Sequence, residues 1–208
     1  MIRILHTADW HLGQTFFGYD RAAEHEMFLN WLSEEIRQKE IDALVIAGDV
    51  FDVSNPSAAS QSMYYRFIYH VTAENPNLQI VIVAGNHDSA ARLEAPLPLL
   101  QAMRTEVRGV VRKLAGGEID YDHLCVELKN RTGEVELLCM AVPFLRQGDY
   151  PAVQTEGNQY AEGVRELYAQ LQQSLWKRRK ANQSILAIGQ LQATGSEIAE
   201  KDYSERTV

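Results

Sequence analysis

Four short segments carry residue types from which a hydrolytic metal centre can be assembled: Asp9-Trp10-His11, Gly48-Asp49-Val50-Phe51-Asp52, Gly85-Asn86-His87-Asp88 and Gly189-Gln190. The first offers a carboxylate and an imidazole. The second adds a carboxylate able to bridge two cations, and the third an amide oxygen beside a second imidazole. A phosphodiester resists hydrolysis because an anionic phosphorus must accept a nucleophile while a poor alkoxide departs. Two cations about 3.5–4 Å apart meet both difficulties, by generating a nucleophile from water and by neutralising the oxygens of the in-line transition state. Hard carboxylate and amide oxygens mixed with imidazoles suit Mn²⁺ or a similar divalent ion. On this reading Asp9 and His11 hold one metal, Asp49 bridges and Asn86 holds the other. His87 protonates the leaving oxygen, with Asp52 orienting its ring. A lone Gly-Asp-x-x-Asp or Asn-His-Asp is ordinarily a turn, but three such segments in order point to a site.

Each segment follows a short apolar run: Ile2–Thr7, Ala43–Ala47, Ile80–Ala84 and Ile185–Ile188. These runs read as buried strands whose C-terminal ends carry the chemistry, as ligand sites do in α/β sheets. Amphipathic segments lie between the first three, which argues for βαβ units and a parallel sheet. One helix is expected over about Arg21–Lys39, with Phe28, Leu32 and Ile36 as its inward stripe and Trp31 beside it. A second is expected to begin near Ser54-Asn55-Pro56 and run toward Glu74. A third is expected over Gln159–Lys180, with Tyr160, Val164, Leu167, Leu171 and Leu175 on one face. Between the second and third lie Val110–Leu114 and a hairpin of Leu124–Leu128 with Val135–Val142, a change of pattern that predicts a second sheet or an antiparallel edge.

The bulk of the chain is that of one ordinary globular domain: 208 residues, 46% hydrophobic and 23% charged. Twenty Lys and Arg stand against 28 Asp and Glu, a net charge of −8, which disfavours a simple nucleic-acid coat. It leaves room for a nuclease, because Asp9, Asp49, Asp52 and Asp88 belong to the proposed site, where bound cations would invert the local charge. There is no leader-like start and no apolar stretch approaching the ~18 residues of a membrane span, so a cytoplasmic protein away from membranes is expected. Cys125 and Cys139 flank the turn Asn130-Arg131-Thr132-Gly133, and one register would set them opposite each other. In a reducing compartment they are expected as free, mostly buried thiols, and without a Cys-x-x-Cys pair they support no structural zinc.

Leu5-His6-Thr7-Ala8-Asp9-Trp10-His11-Leu12-Gly13-Gln14, Arg21-Ala22-Ala23-Glu24-His25, Ala47-Gly48-Asp49-Val50-Phe51-Asp52, Ala84-Gly85-Asn86-His87-Asp88-Ser89 and Pro143-Phe144-Leu145-Arg146 resemble the calcineurin-like metallophosphoesterase superfamily, and within it the SbcD-type nuclease subunits. The resemblance implies an α/β sandwich of mixed β-sheets flanked by helices. It also implies two divalent metal ions, by family Mn²⁺, and DNA exonuclease and endonuclease activity in repair and recombination. The partners it implies are DNA, an SbcC-like coiled-coil ATPase and a second copy of the chain in a homodimer.

Two departures qualify the expectation. Gln190 stands where the family has a metal-binding histidine, and the family's later Gly-His-x-His segment does not follow before Val208. Residues 1–208 are therefore expected to be a single, C-terminally shortened nuclease domain without the cap and SbcC-docking regions. Its second metal site is expected to be weakened or empty and its activity alone to be low. Three readings stay open: a nuclease subunit, a phosphatase or cyclic-nucleotide phosphodiesterase using the same core, and an SbcD-like protein with an impaired centre.

The remaining features have plainer explanations. His6 is expected in the core or behind the ligands, and His25, His70 and His123 at the surface or in packing. Trp176-Lys177-Arg178-Arg179-Lys180 could meet a phosphate backbone, but cations at a helix C-terminus also suit the macrodipole. Met63, Tyr64, Phe67 and Ile68 with Leu97, Leu99 and Leu100 would serve a dimer face, and core packing explains them equally well.

Overall fold

Apolar side chains alternating along short strands decide the layering. The computed structural model describes residues 1–191. Its elements are β1 (Ile4–Thr7), β2 (Thr15–Phe16), β3 (Tyr19–Asp20), α1 (Ala22–Gln38), β4 (Ala43–Ala47), α2 (Ala58–Glu74), β5 (Gln79–Val83), α3 (Ala90–Glu94), α4 (Leu97–Ala102), β6 (Thr105–Arg108), β7 (Cys125–Lys129), β8 (Val135–Ala141), α5 (Gln159–Arg178) and β9 (Ser184–Ile188). A four-stranded sheet has the order β1-β4-β5-β6, with every neighbouring pair parallel. A three-stranded sheet, β7-β8-β9, is mixed: β7 and β8 form the antiparallel hairpin, and β9 joins β8 in parallel. The expectation about the C-terminal end of the chain falls on residues outside the described range.

Period-two alternation makes each strand serve two layers. Leu44, Ile46, Ile80, Ile82 and Val107 face Leu29, Leu32 and Ile36 of α1 and Tyr64, Phe67 and Ile68 of α2. The intervening Ala43, Val45, Ala47, Val81 and Val83 meet Val126, Leu128, Leu137, Cys139, Ala141 and Ile188 of the second sheet. On that sheet's far face Leu138 and Met140 pack on Leu167, Leu171 and Leu175 of α5. Because β4 and β5 are covered on both faces, they read as unbroken apolar runs rather than alternating ones. The result is an α/β sandwich of one parallel and one mixed sheet flanked by helices, so the expected mixing of strand directions belongs to the second sheet alone.

Several boundaries differ from the sequence expectation. Helix α2 starts at Ala58 because Ser57, in extended backbone, is the cap whose hydroxyl accepts the Ser60 N–H at 3.1 Å; Pro56 precedes the cap instead of opening the first turn. The fourth parallel strand is Thr105–Arg108, whereas Val110–Leu114 contributes only an isolated bridge from Lys113 to Ile119. Strand β6 was hidden by its polar residues: Arg108 is buried but ion-paired to Glu106 at 2.8 Å and bonded to the His123 carbonyl. On α1 the buried stripe is His25, Leu29, Leu32 and Ile36, Phe28 packs partly against it, and Trp31 is exposed. His6 is exposed on an edge strand and does not enter the core. Cys125 pairs with Met140 and Cys139 with Val126, so the register is one residue from setting the cysteines opposite, and the free thiols face different sides of the sheet. Burial pushes the Cys139 thiol up to about 12.

Met63, Tyr64, Phe67 and Ile68 are core, while Leu99 beside buried Leu100 is exposed. The basic run at the end of α5 is engaged locally: Arg178 reaches Asp122 at 2.6 Å, and Arg179 lies 4.4 Å over the Trp176 ring. Tyr64 is fully buried, and its hydroxyl has no hydrogen-bond partner among the described residues. Tyr64→Phe is therefore expected to raise stability by about 1 kcal/mol, since a buried hydroxyl without a partner loses its hydration and recovers nothing. Urea unfolding of the two proteins checks this, and a destabilised Tyr64→Phe would contradict it.

Helix α3 follows the Asn86-His87-Asp88 loop directly and is tied down by Glu94. Its carboxylate accepts from Gly109 N at 2.8 Å, Val110 N at 3.2 Å and Arg112 at 3.2 Å, with the His123 ring 3.8 Å away. Burial alone would raise this carboxyl, but His123, the two main-chain N–H groups and Arg112 outweigh it and hold it at about 2. A depressed acid stabilises the fold above its unfolded value and loses that contribution as pH falls through the folded one. The stability difference between the parent and Glu94→Gln, on the order of 2 kcal/mol at neutral pH, should thus vanish between pH 4.5 and about 2. A difference that persists undiminished at the acid end of that window would contradict the assignment.

Candidate metal centre

The parallel pairing of β1 and β4 does not stop at the strand ends. Asp9 N donates to Gly48 O at 3.1 Å, His11 N to Asp49 O at 2.9 Å and Leu12 N to Val50 O at 3.0 Å; Asp52 N returns to Leu12 O at 3.3 Å. This zipper sets Asp9 and His11 beside Asp49 and Asp52. It requires unusual backbone, with Asp9 at φ 54°, His11 at φ 46° and Asp49 at φ 47°, all in the left-handed region. Each costs on the order of 1 kcal/mol or more outside glycine, and such strain persists where surrounding structure over-determines it, which happens chiefly at functional sites.

The third loop is held by Asp88. Its side chain is 2% exposed, and its carboxylate accepts from Val50 N at 3.2 Å, Phe51 N at 3.0 Å and Gly85 N at 2.9 Å. Burial raises this carboxyl against the pull of those three donors, and the nearby Asp49 charge raises it further. Gly85 permits the approach, because a Cβ there would collide with Asp49 Oδ1.

Within this frame the expected site residues converge. Ligand atoms of Asp9, His11 and Asp49 lie within 4.8 Å of one another, and so do those of His11, Asp52 and His87. Asp49 is buried; its Oδ1 accepts the His87 N–H at 2.9 Å, and its Oδ2 lies 3.8 Å from His11 Nε2. Two ligands of one cation at about 2.1 Å can adopt such a separation. Asp52 serves both imidazoles: its carboxylate is 3.2 Å from His11 Nδ1, and its main-chain oxygen is 2.8 Å from His87 Nδ1. Asp52 thus meets His87 through its main chain and not through the carboxylate expected to orient that ring. A carbonyl can only accept, so neutral His87 carries its proton on Nδ1 and keeps its lone pair on Nε2. The two rings meet edge to face at 4.9 Å.

Asn86 enters through its main chain: its N–H donates to Gln190 Oε1 at 2.8 Å, and Arg146 reaches its carbonyl at 3.5 Å. Gln190 arrives from the end of β9, with Nε2 at 2.6 Å from Asp49 Oδ2 and 3.2 Å from Asp9 Oδ1. The sequence places Asp88 in the site without a role and leaves the neighbouring cation Arg146 outside it. The first had a usable signal, since a carboxylate between two apolar strands needs donors to be tolerated. By type and spacing Asp9, His11 and Asp49 fit a divalent cation, and Asp52 orients His11 as carboxylates orient ligating imidazoles.

Residues 2–195 match the family model described as Calcineurin-like phosphoesterase. The chain belongs to the calcineurin-like phosphoesterase family. Among curated relatives of this calcineurin-like phosphoesterase, the SbcD subunit of nuclease SbcCD from Rhodobacter capsulatus is 44% identical over 163 residues, covering 78% of this chain and 40% of that protein. The protein of the same name in Escherichia coli is 38% identical over 148 residues, covering 71% and 34%. That of Bacillus subtilis is 43% identical over 98 residues, covering 47% and 25%. The chain thus spans well under half the length of the curated relatives it matches.

Proposed function

We propose that this chain is the phosphoesterase module of a divalent-metal-dependent nuclease that hydrolyses phosphodiester bonds in DNA. The observation that carries the reading is the meeting of Asp9, His11 and Asp49 at the ends of adjacent parallel strands, with His87 alongside; the nuclease names of the relatives supply the substrate class. Asp9, His11, Asp49 and Asn86 hold the cations on this reading, Mn²⁺ being the ion the oxygen and imidazole donors suit. Bound cations would supply activation of a water nucleophile and neutralisation of the phosphate oxygens.

The chain's own groups do the rest. The Asp52 carboxylate fixes the His11 ring with Nε2 turned to the metal side, and Asp49 holds the His87 main chain. Because His87 Nδ1 is committed to a carbonyl, the proton gained on charging the ring sits on Nε2. That proton passes to the departing 3′ or 5′ oxygen as the P–O bond breaks and the water oxygen joins phosphorus. The same reading includes a homodimer, an SbcC-like ATPase partner, a role in repair and recombination, and a cytoplasmic location. Among the described residues no helix is long and apolar enough to cross a membrane.

The test is incubation of the chain with end-labelled duplex DNA and Mn²⁺. Cleavage that stops on chelation and in Asp49→Asn is the expected result. Turnover of bis(p-nitrophenyl) phosphate with DNA left intact would replace the nuclease reading by the small-substrate one.

A further inference from the structure

Gln190 joins all three strand-end loops through one carboxamide. Its Nε2 donates to Asp49 Oδ2 at 2.6 Å and Asp9 Oδ1 at 3.2 Å, while its Oε1 accepts the Asn86 N–H at 2.8 Å. Chemistry sets which end is which: a main-chain N–H requires an acceptor, and carboxylate oxygens require a donor. Turning the amide over would oppose NH₂ to N–H and set a carbonyl oxygen against two carboxylates. The seat is moulded to this side chain. A Cβ on Gly48 would come within 2.9 Å of Gln190 Cδ, and one on Gly85 within 2.6 Å of Gln190 Oε1.

We propose that the Gln190 amide occupies, with neutral N–H donors, the position between Asp9 and Asp49 from which a divalent cation would bind the same oxygens, so that Gln190 and the cation compete. The inference rests on the reading of Asp9 and Asp49 as metal ligands. A cation needs lone pairs directed at it, and Gln190 presents hydrogens there. Loading the centre therefore requires the side chain to withdraw and give up hydrogen bonds to two charged acceptors, the stronger class of hydrogen bond. A glutamine that merely ligates weakly through its oxygen predicts the opposite sign when it is removed.

The experiment is calorimetric titration of Mn²⁺ into the 208-residue chain, Gln190→Ala and Gln190→Met. Methionine keeps the length of the side chain without its amide. Both variants are expected to bind Mn²⁺ about tenfold tighter than the parent, and to show a larger Mn²⁺-induced rise in melting temperature. The melting measurement also reports whether each variant is folded before metal is added. Unchanged or weaker affinity in the folded variants overturns the proposal, making Gln190 a bystander or a ligand. Absence of Mn²⁺ binding in all three proteins overturns it together with the metal assignment. Tighter binding in variants that leave DNA intact upholds the competition and removes the nuclease reading instead.

Discussion

Asp88→Ala is expected to cost about 3–5 kcal/mol of stability, a large share of what a domain of this size possesses. The carboxylate is 2% exposed and is the shared acceptor for the main-chain N–H groups of Val50, Phe51 and Gly85. Truncation leaves three buried donors without partners, each at about 1–3 kcal/mol, offset in part by relaxation and entering water. The same cut frees the loop carrying Asp49 from the loop carrying Asn86 and His87, so metal affinity should fall with stability. Equilibrium urea unfolding is the measurement; a loss below about 1 kcal/mol would show that solvent or neighbouring groups take over the three donors. Asp88→Asn retains one acceptor oxygen but turns an NH₂ toward N–H groups, so it should fall between the parent and the alanine variant.

Asp49→Asn has the second large effect, and it separates chemistry from folding. Replacing groups that only orient a ligand typically lowers metal affinity or activity 10–100-fold, roughly, so loss of a carboxylate that the proposed function makes a metal ligand should reduce Mn²⁺-dependent phosphodiester cleavage by about 100-fold or more. The amide oxygen can still accept the His87 N–H that Asp49 Oδ1 accepts at 2.9 Å, whereas the new NH₂ loses the hydrogen bond that Gln190 Nε2 donates to Oδ2 at 2.6 Å, a loss that relief of charge repulsion offsets. One negative charge leaves a cluster that also holds Asp9 and Asp52. Metal-free stability should therefore stay within about 1 kcal/mol of the parent. Full cleavage by Asp49→Asn would remove Asp49 from the centre, whereas a collapse of metal-free stability would make its role structural.

How much of this could be read in the linear chain follows from the range of each interaction. The runs Ala43–Ala47 and Ile80–Ala84, the helix around Leu29–Ile36 and the turn before β8 are local patterns, and their structural counterparts fall within a few residues of expectation. Where a local pattern is absent or ambiguous, the structure departs from the sequence expectation. Strand β6 has Val107 between Glu106 and Arg108, and its burial becomes tolerable only because Arg108 finds Glu106 and the His123 carbonyl. The start of α2 depended on which of several turn-forming residues held the capping geometry, a choice made by Ser57 and Ser60.

Residue type and position at strand ends were enough to name Asp9, His11, Asp49, Asn86 and His87 as one group, because a strand followed by a polar loop is a local statement and parallel strands bring such loops to one edge of a sheet. Which atom meets which was left to the tertiary fold. That Asp52 gives its carboxylate to His11 and its carbonyl to His87, that Asp88 clamps two loops, and that Gln190 aims its NH₂ at two carboxylates all depend on contacts between segments 35 to 181 residues apart. Hydrogen-bond direction varies over tenths of an ångström and tens of degrees, and no sequence spacing specifies those once the chain must return through a second sheet to deliver residue 190.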